Sequence, residues 1–129
     1  YKYVFRPDSL SGTIGGLWSS DNDLYVYTTW GIYQCPISTV GEGEIIWLGE
    51  NGDATKKIRG TADNNIFFYR SGSEMQHYNG STWHFFDELI NPLDVLNSID
   101  VKNNLAVSVG YRYYNPIQHW AVIMRGVRN

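Results

Sequence analysis

Five aromatic rings and one guanidinium stand near predicted turns, where they could meet a ligand: Trp30 and Tyr33 early in the chain, and Tyr111, Arg112, Tyr113 and Tyr114 late in it. A ring beside a loop can stack on the face of a sugar or fill a pocket in a protein partner, and loops carry binding residues more often than strands do. The run Tyr111-Arg112-Tyr113-Tyr114-Asn115-Pro116 sets three rings and a cation in a stretch that is long for a tight hairpin turn. Tyr and Trp also pack stacked sheets together, so local packing competes with ligand contact at these positions.

Other reactive groups are more scattered. His77 and His84 lie on the two arms of one expected hairpin, and a four-residue loop places them opposite each other. Two imidazoles can share a metal, but a stable zinc site takes three or four ligands, and no nearby Cys or suitably directed carboxylate joins them. A cross-strand polar pair is the plainer reading. Asp87, Glu88, Asp94 and Asp100 cluster between the second and third repeats described below. A glycosidase needs two carboxyls at a fixed separation, whereas acidic residues in connecting loops are usually turn formers or solvated. Cys35 before Pro36 lies in no nucleophile motif, and the Gly-rich stretch Gly12-Thr13-Ile14-Gly15-Gly16 precedes no predicted helix that would complete a phosphate cradle. The sequence therefore assigns no catalytic residue, no metal ligand and no cofactor.

Composition narrows the partner classes. A net charge of −3 leaves no electrostatic footprint for nucleic acid, and the short basic stretches Lys56-Lys57-Ile58-Arg59 and Arg125-Gly126-Val127-Arg128 read as solvated strand edges. No apolar run approaches the roughly 18 residues that a membrane-spanning helix needs. The partners that remain are a protein or a glycan. With 129 residues, 43% of them hydrophobic and 18% charged, the chain has enough apolar material for one ordered core. Its single cysteine excludes an intrachain disulfide. The chain opens on Tyr1 rather than Met, which fits a processed or excised start.

The elements that must position these residues come from a repeat. One phrase occurs three times: an apolar residue, a short Asn/Asp cluster, then an alternating strand. It reads Leu17 to Asp23 followed by Leu24-Tyr25-Val26-Tyr27, then Ile58 to Asn65 followed by Ile66-Phe67-Phe68-Tyr69, then Ile99 to Asn104 followed by Leu105-Ala106-Val107-Ser108-Val109-Gly110. Leu24, Ile66 and Leu105 align, with a period of roughly 40 residues, the range of four-stranded propeller blades. Asn and Asp suit tight turns because they bond their own backbone and tolerate left-handed conformations. Both faces of these strands are largely apolar, as expected for a sheet held between two others.

In the second repeat, Glu74 to Tyr78 and Trp83 to Phe86 flank Asn79-Gly80, a strong hairpin signal. Ile32 to Cys35 and Glu44 to Leu48 supply the later strands of the first repeat, and His119 to Met124 the one later strand of the third. The third repeat thus lacks an outer strand, while Tyr1 to Phe5 is an orphan strand. Either the orphan completes the third blade, in its own chain or in a partner copy, or it belongs to a preceding blade. Asp87 to Ile90 is expected to form one short helical turn ended by Pro92.

With Leu17-Trp18-Ser19-Ser20, Asp23-Leu24-Tyr25-Val26, Gly31-Ile32-Tyr33, His77-Tyr78-Asn79-Gly80 and Trp83, the chain resembles bacterial, mostly secreted or surface, β-propeller repeats. Those blades read roughly W-G-S-S-x-x-D-I-Y-A-V-G, then G-x-I-x-H-Y-D-G-x-x-W. The resemblance implies architecture and an extracytoplasmic location, and carries over no catalytic residue. The Asp box of sialidase-like propellers is broken by Gln76 and Tyr78, no Trp-Asp pair ends a strand as in WD40 repeats, and no tachylectin-like or tectonin binding motif transfers.

The expected fold is all-β: a partial β-propeller of about three four-stranded antiparallel blades, with an orphan strand and linker at 1–12, blades at 13–50 and 51–92, and an incomplete blade at 93–129. Closed propellers use about four to eight blades, so missing blades or a second chain would complete the ring, the latter as a homodimer. The expected role is a non-enzymatic interaction module. A sugar-binding propeller using the loop aromatics is the alternative, and part of a glycan-active enzyme the third.

Overall fold

The structure is a computed structural model that describes residues 12–40, 45–50, 57–70 and 72–127. The orphan strand at Tyr1 to Phe5 lies outside the described residues, as do Glu44, Lys56 and Arg128. The described chain is all-β, with eleven strands in three antiparallel sheets. The first sheet runs β1 (Ile14–Ser19), β2 (Asp23–Thr28), β3 (Gly31–Pro36) and β4 (Ile46–Glu50). The second runs β5 (Lys57–Ala62), β6 (Asn65–Tyr69), β7 (Met75–Tyr78) and β8 (Trp83–Phe85). The third holds β9 (Asp94–Lys102), β10 (Leu105–Tyr113) and β11 (His119–Val127). Each sheet is an up-and-down meander in chain order, and the only helical segments described are single turns at Ile37–Thr39 and Asp87–Leu89.

The Asn/Asp clusters form the first turn of each sheet. Asp63-Asn64 and Asn103-Asn104 each leave two residues between paired strands, and Ser20 N–H donates to the Asp23 carbonyl at 2.9 Å to close the same turn around Asp21-Asn22. Asn103 adopts a left-handed φ of 52°, which asparagine tolerates better than most residues. The Asn79 side chain accepts from the backbone N–H of Ser81 and Thr82 at 3.0 and 2.8 Å while Gly80 takes φ 95°, and this turn joins β7 to β8.

These turns correct the alignment of the repeat. Asp23, Asn65 and Leu105 are each the first residue after the turn, so the residue matching Leu24 and Ile66 is Ala106 rather than Leu105. Leu105 is the first apolar residue after Asn104, but it occupies the place of polar Asp23 and Asn65.

The sheets stack face to face in a row, with β1 beside β5 and β5 beside β9. Between the first and second sheets, Tyr25, Tyr27 and Ile32 pack on Ile58, Ile66, Phe68 and Tyr78. Between the second and third, Phe67, Tyr69 and Met75 pack on Leu96, Ile99 and Ala106. All five residues of β6 are consequently buried. Polar groups cross the same junctions: Trp83 Nε1 donates to the Leu48 carbonyl at 3.1 Å, Leu96 N–H to the Gly72 carbonyl at 2.9 Å, and Lys57 Nζ to Ser98 Oγ at 3.0 Å. Lys57 and Arg59 are half-buried in the first strand of the second sheet, and do not form the solvated edge expected of them.

At the other end of β1, the Tyr27 ring lies across Gly15 and Gly16. A Cβ at either position would fall 2.2 or 2.7 Å from a ring carbon, and the Tyr27 hydroxyl donates to the Gly15 carbonyl at 2.7 Å. Two consecutive residues without side chains therefore let a neighbouring strand's aromatic ring seat directly on the backbone of β1.

Candidate functional site

The row of sheets has two end faces. Cross-strand partners share a face, so Leu17, Val26, Tyr33 and Trp47 lie together on the end of the first sheet. Val26 is buried and Tyr33 half-buried there, while Leu17 and Trp47 are exposed. On the end of the third sheet, the pairs Val107 with Arg125, Val109 with Ile123, Tyr111 with Ala121 and Tyr113 with His119 lie on one face, and the opposite face carries Ala106 and Ser108 toward the second sheet. Val109, Tyr113, Ile123 and Val127 are exposed large apolar side chains, Ile123 at 73%. Exposed residues of this kind that share a contiguous face mark interaction surfaces better than ones scattered singly.

The six positions singled out in the sequence are not brought into one site. Trp30 sits in the β2–β3 turn, 67% exposed, and Tyr33 stands opposite Trp47 on the first sheet. The other four are on the third sheet, with the second sheet between. Tyr111 and Tyr113 belong to strand β10, which continues through the stretch expected to be loop, so the turn begins only at Tyr114. Within that turn, Asn115 accepts from the N–H of Ile117 and Gln118, both at 2.9 Å, and Tyr114 N–H donates to the Gln118 carbonyl at 3.1 Å.

On the open face, Tyr111, Tyr113 and His119 form one ring cluster with centroids 4.9 to 5.2 Å apart. The two phenol oxygens lie 3.1 Å apart, and this hydrogen bond raises the Tyr111 phenol above its ordinary pKa. Arg112 projects to the other side of the strand. Its Nε and Nη2 donate to the two carboxylate oxygens of Asp94 at 2.5 and 2.9 Å, directly across the β9–β10 ladder. Asp94 is buried, and its carboxylate holds the guanidinium above the usual arginine range. Arg112 therefore neutralises a charge within the fold and leaves little of its fork for an incoming group. Tyr114 stacks on Trp120, with ring planes at 12° and centroids at 4.9 Å, and both rings are exposed.

The remaining sequence candidates are placed as follows in the fold. His77 and His84 are direct cross-strand partners, as their spacing suggests, with His77 Nε2 3.0 Å from Asn65 Oδ1 and its ring 4.4 Å from that of Phe67. Among the described residues, no group of three or more His, Cys, Asp or Glu side chains is placed to hold a metal ion. Of the four carboxylates, Asp94 is paired with Arg112, while Asp87, Glu88 and Asp100 are exposed. Cys35 is buried, and burial pushes its thiol up.

A cleft of ≈ 380 Å³ opens between the first and second sheets, lined by Tyr25, Gln34, Asp63, Asn64 and Tyr78 among others. Much of its lining is already committed: the Tyr25 hydroxyl donates to Asp63 Oδ1 at 3.0 Å and Gln34 Nε2 donates to Asp23 Oδ2 at 2.9 Å. Burial, then the bond to Asp63, lift the Tyr25 phenol far above its ordinary pKa. Among the described residues, no helix is long and apolar enough to cross a membrane.

Sequence reasoning missed Val109, Ile123, Trp120 and Val127 as surface residues. The signal was present in β11, where Ala121, Ile123 and Val127 share a period of two with His119, but such a pattern does not say which face a neighbour covers. No family model, no curated protein and no solved structure matches the chain.

Proposed function

We propose that this chain is a non-enzymatic interaction module built from β-propeller blades, with the open face of the third sheet as its working surface. The blade reading rests on three up-and-down meanders stacked in a row with their first strands adjacent, repeating at roughly 40 residues. The interaction reading rests on one observation: Val109, Tyr113, Ile123 and Val127 stand exposed on one face of the third sheet, whereas the same face of the second sheet buries Phe67, Tyr69 and Met75. Peptide display against the whole chain tests it. Selected binders are expected to lose at least tenfold in affinity to Ile123→Lys and none to Trp30→Ala; binders indifferent to the third sheet would overturn the reading.

A second reading, sugar binding, draws on the Tyr114–Trp120 stack, whose exposed rings offer a flat platform for a pyranose face. Reproducible glycan-array binding that disappears with Trp120→Ala would place this reading first.

A further inference from the structure

Most of the described cations are placed in an ordinary way. Arg112 is paired with Asp94 and Arg70 with Glu74, while Lys102 and Arg125 are exposed to water. Lys57 and Arg59 differ. Both are half-buried in β5, and among the described residues neither has a carboxylate within ion-pair distance. A charge drawn partly out of water loses hydration, and an anion beside it offsets that loss. Carboxylates are not scarce in a chain with 13 acidic residues against 10 Lys and Arg, so the two cations are unpaired because of where they stand.

They stand together at one cavity. Positions two apart in a strand leave it on the same face, about 7 Å from each other along the backbone. Both residues line a cavity of ≈ 260 Å³ where β1 runs beside β5, with Gly15, Gly16, Leu17 and Tyr27 on its other side. No Asp or Glu lines it. The β1–β2 register shifts between Ile14 and Gly16, and the Gly15 carbonyl is already taken by the Tyr27 hydroxyl. Burial raises the Tyr27 phenol and the Arg59 guanidinium works against that rise, so the cation lies within electrostatic reach of the cavity wall.

Most of the donor capacity is uncommitted. Lys57 Nζ gives one proton to Ser98 Oγ at 3.0 Å, and Arg59 Nη1 gives one to the Ile58 carbonyl at 2.8 Å. An ammonium carries three N–H donors and a guanidinium five in a planar fork, so most of both sets stays open. The cavity is several times the ~30 Å³ share of one water, which leaves room for a tetrahedral group. Two cations match a doubly charged group better than a single carboxylate, and a phosphate carries roughly −1.5 to −2 at neutral pH.

We infer that the cavity between β1 and β5 binds a phosphate group, free or as a monoester, held between Lys57 and Arg59. The site is independent of the third-sheet face, and neither reading requires the other.

Phosphorus-31 NMR line widths of inorganic phosphate and of methyl phosphate, titrated with the whole chain at fixed ionic strength and neutral pH, test it. Saturable broadening is expected, with affinity falling about tenfold in Arg59→Gln through loss of the charge-assisted fork. Lys57→Gln should lose less, because Lys57 already gives one proton to Ser98. Lys102→Gln, an exposed cation at the end of β9, and Ile123→Lys, on the third sheet, should bind as the parent does. Far-ultraviolet circular dichroism checks that each variant keeps its strands, and Arg59→Met, which retains an apolar stem, replaces Arg59→Gln if that variant unfolds. Broadening of the inorganic ion identifies free phosphate as a ligand, and broadening of methyl phosphate alone identifies a phosphorylated one; sulfate at the same ionic strength should compete in either case. Absence of saturable broadening with both probes, unchanged affinity in a folded Arg59 variant, or an equal loss in Lys102→Gln would overturn the inference.

Discussion

Strands β6 and β10 occupy the same place in the repeat and live in opposite environments. Both follow an Asn/Asp turn and both run through the middle of a meander, but β6 is buried at all five residues, whereas β10 alternates through its first half and opens toward its end. The difference lies in the neighbours. The second sheet has a sheet on each side, and the third has one among the described residues. The comparison teaches that a blade's apolar residues stabilise the fold only where an adjacent blade covers them; elsewhere the same residue types are available for binding.

The sharpest way to break this contrast is to truncate equivalent apolar positions. Phe68→Ala removes a fully buried ring between two sheets and is expected to cost about 4 kcal/mol, read as a lower denaturant midpoint. Val109→Ala, on the open face, is expected to cost under about 1 kcal/mol in the same titration. Equal losses would mean that the third-sheet face is covered within the chain.

Next in size comes the charge that ties β10 to β9. Arg112→Ala strands the Asp94 carboxylate in the core and is expected to lower the denaturant midpoint, because an unpaired buried charge is more expensive than the pair is valuable. A variant as stable as the parent at neutral pH would remove the Asp94–Arg112 pair from the account of the third sheet.

Alkaline pH probes the covered side. Burial pushes the Tyr69 phenol up to about 12, above the ordinary 10, so the folded state keeps a proton that the unfolded chain gives up. Stability is then complete below pH 10 and falls by roughly 1.4 kcal/mol per pH unit for this group until the folded phenol itself titrates near pH 12. Tyr69→Phe should reduce that slope in pH-dependent unfolding, and what remains is contributed in the same direction by Tyr25, Tyr27, Tyr78 and Tyr111.

The smallest expected effect is on the open face itself. Ile123→Lys should change the unfolding free energy by no more than about 0.5 kcal/mol while abolishing peptide binding, which separates a surface used for contact from one used for stability. A large destabilisation would erase the distinction between the two strands.

Much of the strand order could be read from the chain. The Asn79-Gly80 hairpin and the turns at Asp63-Asn64 and Asn103-Asn104 were visible because turn chemistry is local. The misalignment at Leu105 has an equally local cause: apolar character alone does not mark the face a residue occupies, and Leu105 sits on the open one. The Asp94–Arg112 pair was beyond sequence reasoning because it depends on the β9–β10 register, which shifts at a bulge between Val109 and Gly110. The same register carried Tyr111 and Tyr113 into the strand, against the loop suggested by Asn115-Pro116. Alternation in β11 was legible, but deciding which of its faces stays open required knowing where the second sheet packs.

The ring of Tyr27 seated on Gly15 and Gly16 bears on how the molecule comes apart. The outermost contact of β1 at those residues is made by a side chain of β2, so β1 cannot peel away by losing side-chain contacts of its own there. In hydrogen exchange, the β1 amides beside the ring should become labile together with those of β2, and at the same free energy, whereas the strand would otherwise fray first as the leading edge of its sheet.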